Sequence, residues 1–177
     1  MTTPIIFLDF DGPLFSARAE LLPENDIKYS KTPELKNILH PFISYWKMDP
    51  IAVAILNNVV DIVNAEIVIS SSWRELHTKD EIQALFDVNG LSGPIHEDWC
   101  TPIGSKYDPN AMSYIVTYKN RAEEIQGWIN KHPEVTQWVA VDDDESILKF
   151  EIKNRVLVEY ADGIMYDHYL HMLRTLK

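Results

Sequence analysis

Apolar and polar positions along the chain change period several times, and each change marks an element. Residues 5–10 open with Ile5-Ile6-Phe7-Leu8, a run of β-branched and aromatic types that reads as a buried strand. A polar, proline-containing stretch over 12–37 follows, then an aromatic-rich one from His40 to Trp46. Asp49-Pro50 supplies an N-cap and a first-turn proline for a helix in which Ile51, Val53, Ala54, Leu56, Val59, Val60 and Val63 recur at helical spacing. Residues 66–70 form a second strand, and a helix near 79–88 closes on Asn89-Gly90. Residues 91–117, with Pro94, Pro102, Gly104 and Pro109, read as loop around a short strand near 94–97. A helix over 120–131, a strand over 138–141, a short helix over 145–151, a strand over 155–160 and a helix over 166–176 complete the series. Strands alternating with helices predict an α/β fold whose mainly parallel sheet is covered on both faces.

Composition narrows the class. The 177 residues are 46% hydrophobic with a mean hydropathy of -0.18, values of a globular chain large enough for one ordinary domain. No apolar run approaches the ~18 residues of a membrane span. The N-terminus lacks a basic leader region and acids interrupt its apolar run, so no signal peptide is expected. Cys100 is the single cysteine; with no internal disulfide available, a reducing cytoplasm is the expected home. The net charge of -11 disfavours non-specific binding along a nucleic-acid backbone, which needs basic surface. It leaves room for a local basic pocket.

Candidate chemistry gathers at strand ends. Asp9 and Asp11 lie one residue apart after the first strand, where alternation turns both to one face, and Gly12 follows them. Two crowded carboxylates repel, and such pairs persist where a cation or a shared proton uses them; the plain alternative is a strand running into an Asp-Gly turn. Ser70-Ser71-Ser72 ends the second strand, Lys119 and Arg121 open the 120–131 helix, and Asp142-Asp143-Asp144 ends the 138–141 strand. In open α/β sheets this edge is where ligands bind. Trp73 reads as packing rather than as a base-stacking platform. His168 and His171, three apart, have metal-ligand spacing but no third ligand in view.

This order of carboxylate pair, hydroxyl, cation and carboxylate pair resembles the haloacid dehalogenase (HAD) superfamily of Mg-dependent phosphotransferases. More narrowly, Ile69-Ser70-Ser71-Ser72-Trp73-Arg74, Thr101-Pro102, Arg121 to Trp128 and Trp138 to Asp144 resemble the HAD-type domains associated with RNA-repair proteins. The resemblance implies a Rossmann-like three-layer sandwich over 1–177 and the following roles. Asp9 is the nucleophile. Asp11 is the general acid and base, its main-chain carbonyl a Mg2+ ligand. Ser70 binds a phosphoryl oxygen, with Ser71 and Ser72 as alternates. Either Arg121 or Lys119 is the cation beside the nucleophile, Arg121 by alignment and Lys119 by residue type. Of Asp142 and Asp143, one binds the metal directly together with Asp9 and the other acts through water or by orienting the cation, and Asp144 caps the next helix. Gly12 and Arg74 are candidates for substrate contact, Arg74 with a surface position as its alternative. Pro13 departs from the family pattern, and residues 15–48 match nothing in it; a partial lid there, with Lys28, Tyr29, Tyr45 and Trp46, is expected. The implied activity is a Mg2+-dependent phosphomonoesterase working through an aspartyl-phosphate on a small phosphorylated metabolite or nucleotide. The alternatives are a polynucleotide 3′- or 5′-end phosphatase and a catalytically weak phospholigand-binding module. No membrane partner is expected, and oligomeric state stays open.

Overall fold

A computed structural model of the chain describes residues 2–25, 47–108, 113–116 and 118–177, with the backbone alone at 105–108 and 113–116. In chain order the main elements are β1 (Ile5–Leu8), α1 (Ala17–Glu20), α2 (Pro50–Val63), β2 (Glu66–Ile69), α3 (Lys79–Asn89), β3 (Ile95–Cys100), β4 (Ser105–Asp108), β5 (Ser113–Val116), α4 (Arg121–Lys131), β6 (Trp138–Asp142), β7 (Arg155–Leu157) and α5 (Tyr166–Leu176). Short 3-10 turns occupy Ser72–Glu75, Glu145–Lys149 and Ile152–Asn154.

Five strands form a parallel sheet in the order β3-β2-β1-β6-β7, and β4 and β5 form a separate antiparallel hairpin. The strand side chains alternate between two cores, as a period of two requires. Ile6, Leu8, Ile67, Ile69, Val139 and Val141 face a core shared with α2, α3 and α5. Ile5, Phe7, Val68 and Ala140 face a second one, filled by Ile125 and Trp128 of α4 and by Ile147. The α/β expectation, with helices on both faces, therefore stands. Phe7 meets Trp128 edge-on at 5.3 Å, which seats α4 across the middle of the sheet.

Element ends follow the local chemistry. Asp49 caps α2 by accepting from Ile51 N and Ala52 N. Gly90 ends α3 at φ +71°, where a side chain would be strained. Differences from the sequence reading lie where periodicity is poor. The 91–117 stretch is not mainly loop: β3 extends to Cys100, and the β4–β5 hairpin follows. Three extra residues of β3 bulge between the Ile67–Ile95 and Ile69–Cys100 pairs, so its polar His96, Glu97 and Asp98 never alternate cleanly. The 145–151 helix is a 3-10 turn over Glu145–Lys149, followed by a second at Ile152–Asn154, and the last strand stops at Leu157. Of the expected lid, residues 26–46 lie outside the described residues, and with them Lys28, Tyr29, Tyr45 and Trp46. Among the described residues no helix is long and apolar enough to cross a membrane.

Candidate active site

Register places the candidate residues side by side. Leu8 pairs with Ile69 on one side and with Val141 on the other, so the next residues, Asp9, Ser70 and Asp142, leave the sheet at one level. Their main chains continue the ladder: Asp9 N donates to Val141 O and Ser70 N to Leu8 O, both at 3.0 Å. Two residues on from Phe7, Val68 and Ala140, these three fall on the α4 face by alternation. The order reverses across β1, which makes this edge a topological switch point of the kind ligands occupy.

Arg121 enters from the N-terminus of α4, where Asn120 caps the helix by accepting from Glu123 N. Its Nη2 lies 3.2 Å from Asp9 Oδ1 and its Nε 3.0 Å from Asp142 Oδ2. Its Nη1 donates to Ser70 O and lies 3.2 Å from Glu124 Oε2. Burial works against the guanidinium, but Asp9, Asp142 and Glu124 outweigh it and hold its pKa above the ordinary value. Lys119 is exposed; its main-chain N donates to Glu123. Of the two cations left open by the sequence, Arg121 is the one placed against the carboxylates.

The acids are under electrostatic stress. Asp9 and Asp142 are 4% and 1% exposed. Burial first, then repulsion from Asp142, holds Asp9 well above the ordinary carboxylate range despite Arg121. Burial likewise pushes Asp142 up to about 6, against Arg121 and the Asp144 N–H. Asp143 is raised too, again mainly by burial. One carboxylate oxygen from each of Asp9, Asp142 and Asp143 lies within 4.8 Å of the others. Three hard oxygen donors whose charge the fold alone does not neutralise suit Mg2+. The Asp11 carboxylate is outside this trio; its expected contribution is a main-chain carbonyl. Asp144 accepts from Ser146 N at 2.7 Å and caps the following turn, as the sequence suggested.

Around the trio, Gly12 takes φ +87°, and a Cβ there would sit 2.7 Å from Asp143 Cγ. Only a glycine allows the loop after Asp9 to press against this acid. Ser70 is fully buried, and its hydroxyl has no hydrogen-bond partner. An orphaned buried hydroxyl at a strand end, with Asp9 and Asp142 leaving the sheet level with it, is a donor awaiting an acceptor. Ser71, also buried, hydrogen-bonds Asp9 and draws its pKa down.

Arg74 is neither on the surface nor free. It is 5% exposed, and its donors go to Thr101 O, Ser70 O, Ser71 O and Pro102 O at 3.0, 2.6, 2.6 and 3.3 Å. Its Nη2 also lies 2.8 Å from Glu124 Oε2. It ties the ends of β2 and β3 together, and Glu124 links it to Arg121. Glu124 was not singled out from the sequence, although a signal exists. Arg121, Glu124, Ile125 and Trp128 share the i, i+3, i+4, i+7 stripe of α4, and an acid on such a stripe needs buried partners. Trp73, which the sequence favours as packing over base stacking, also donates its Nε1 to Asp11 Oδ2 at 3.0 Å.

The chain matches, over residues 5–168, the family described as the HAD domain in Swiss Army Knife RNA repair proteins. It belongs to that family, which bears out the resemblance drawn from the motifs and the parallel α/β sheet. Membership makes it a HAD-type domain of hydrolase, phosphatase-type character from an RNA-repair context. No curated protein and no solved structure matches the chain.

Proposed function

We propose that the chain is a Mg2+-dependent phosphomonoesterase that works through an aspartyl-phosphate, with a small phosphorylated metabolite or nucleotide as substrate. The observation that carries this reading is the Asp9 carboxylate, clustered with Asp142, Asp143 and Arg121 at the level of the unpartnered Ser70 hydroxyl. Asp9 attacks the phosphorus in line, and the bond to the leaving oxygen breaks as Asp11 gives that oxygen a proton. Water then attacks the acyl phosphate, Asp11 takes back a proton, and inorganic phosphate leaves with Asp9 regenerated. Ser70 Oγ donates to a phosphoryl oxygen, while Arg121 offsets charge on both nucleophile and phosphoryl group. Asp9, Asp142 and Asp143 would hold a divalent cation, which when bound would supply positive charge against these acids and the phosphoryl oxygens.

An open groove of about 550 Å3 runs beside Arg121, lined among others by Glu75, Tyr118, Lys119, Asn120 and Asp144. Its mixed charge suits contact with one phosphoryl group and little further backbone. A second substrate, the phosphorylated end of an RNA strand, is favoured by the family's RNA-repair description. A panel of sugar phosphates, nucleotides and 3′- or 5′-phosphorylated oligonucleotides, assayed with Mg2+ and with chelator, tests both. The primary reading requires chelator-sensitive release of phosphate that Asp9→Asn abolishes while remaining folded. Asp9→Asn activity within about tenfold of wild type, a barrier change of only ~1.4 kcal/mol, removes the aspartyl-phosphate. Binding of an end-phosphorylated oligonucleotide to Asp9→Asn should show a log–log salt slope no steeper than about two. A slope beyond about four makes the strand end the better substrate.

A further inference from the structure

Asp11 is an exposed carboxylate on a short loop, yet it is held in place. Trp73 Nε1 donates to its Oδ2 at 3.0 Å. The indole is fixed by the loop that carries the acid. It stacks on Phe15 with 5.2 Å between centroids and 9° between planes, and meets Phe10 edge-on at 5.6 Å. Phe10 and Phe15 flank Asp11, and the loop closes on itself: Leu14 N and Phe15 N both donate to Phe10 O, at 3.0 and 2.8 Å. Donor and acceptor are thus locked by one set of aromatic contacts, across 62 residues of sequence.

We infer that Trp73 is a positioning residue for proton transfer, fixing which Asp11 oxygen serves the leaving group. The inference rests on the proposed reaction, in which Asp11 exchanges a proton with the leaving oxygen. An indole N–H donates and cannot accept, so Oδ2 is committed as an acceptor. Oδ1, which has no hydrogen-bond partner among the described residues, carries the transferred proton. In the first half-reaction that proton passes from Oδ1 to the leaving oxygen as its bond to phosphorus breaks. In the second, Oδ1 takes one proton from the attacking water. Holding the carboxyl in one orientation shortens the search for this geometry, and misplacement by about 1 Å can cost on the order of 10²-fold.

Trp73→Phe keeps an aromatic ring against Phe10 and Phe15 but removes the N–H. Turnover is measured with an alkyl phosphate, whose leaving group needs a proton, and with p-nitrophenyl phosphate, whose leaving group hardly does. We expect kcat to fall about tenfold or more for the alkyl ester and less than about threefold for the aryl ester. In an Asp11→Asn background, Trp73→Phe should cost nothing further for the alkyl ester. Independently of activity, the indole N–H resonance that disappears in Trp73→Phe should move in Asp11→Ala. Equal losses for both esters, additive losses in the double variant, or an unmoved resonance would each overturn the positioning role. A proposed reaction that itself fails shows differently: Asp9→Asn matches wild type, or wild type turns over neither ester, and Trp73 then has no proton transfer to serve.

Discussion

Replacing Asp142 by asparagine should stabilise the cation-free protein at alkaline pH while weakening its hold on a cation. The Asp142 carboxyl is 1% exposed, and burial raises its pKa from 3.8 to about 6 even with Arg121 beside it. The unfolded chain ionises near 3.8, so as pH rises past that value the unfolded state loses its proton first and gains relative to the fold. The destabilisation is absent well below 3.8, grows between 3.8 and about 6, and is constant above. A rise of about two units corresponds to about 3 kcal/mol. The amide carries no charge to desolvate, but it cannot accept from both Arg121 Nε and Asp144 N as the carboxylate does. Losing one of those bonds returns about 1 kcal/mol. The net gain expected at pH 8 is about 2 kcal/mol, or roughly 4–8 °C in Tm for a chain of this size. Urea unfolding in chelator at pH 8 and pH 4 reads it directly, and at pH 4 the gain should vanish. Asparagine less stable than wild type at pH 8, or an equal gain at both pH values, would refute the reasoning. The first outcome makes the ion pair outweigh desolvation; the second removes ionisation as the cause.

Three further outcomes test the surrounding architecture. Glu124→Gln leaves the buried guanidinium of Arg74 and the part-buried one of Arg121 without their shared acid, and should cost about 3–5 kcal/mol in chemical denaturation. Gly12→Ala places a Cβ 2.7 Å from Asp143 Cγ at a φ of +87°; it should displace Asp143 and shrink the Tm rise on adding Mg2+, measured with and without a phosphate mimic. Arg121→Ala should lower turnover of an aryl phosphate by about 10²-fold or more, whereas Lys119→Ala should change it by less than about threefold. The reverse ranking would transfer the role to the exposed lysine.

What the sequence carried well were the features that repeat locally. Short continuous apolar runs located β1, β2 and β6, and the acids and hydroxyls just past them were legible because strand ends are fixed by those runs. The Asp49-Pro50 start and the Asn89-Gly90 stop were legible for the same reason: caps are local chemistry. β3 was legible only at its start, near 94–97, because it is a bulged edge strand whose polar side chains leave the rest to be marked by tertiary pairing. The choice between Lys119 and Arg121 was also beyond local reasoning. Both stand at the start of α4, only two residues apart, and which of them turns to the carboxylates depends on the helix's rotational register. The packing of Trp128 against Phe7 fixes that register. Arg74 and Glu124 illustrate a different blindness. Arg74 looks like an ordinary surface charge in sequence and Glu124 shows only its place on the α4 stripe, while the structure buries the two as an ion pair.

That buried pair explains how an acidic site is held together at all. Asp9, Asp142 and Asp143 would drive their strand ends apart, and Arg121 alone must hold two of them. Arg121 is itself held from behind by Glu124, whose other neighbour, Arg74, grips the carbonyls of Ser70, Ser71, Thr101 and Pro102. Charge alternates outward from the site, acid to Arg121 to Glu124 to Arg74, and ends on neutral carbonyl dipoles at the β2 and β3 termini. Each layer satisfies the one before it, so repulsion among the three acids is borne by the sheet ends rather than by solvent. Burial and repulsion still hold the pKa of Asp9 and Asp142 above the ordinary carboxylate range, so negative charge at the centre is left for a further positive charge to balance. In the proposed reaction a divalent cation supplies that charge. The same deficit would make the site discriminate for a tightly bound cation rather than for a diffuse basic partner, because only a centre within reach of all three oxygens relieves it.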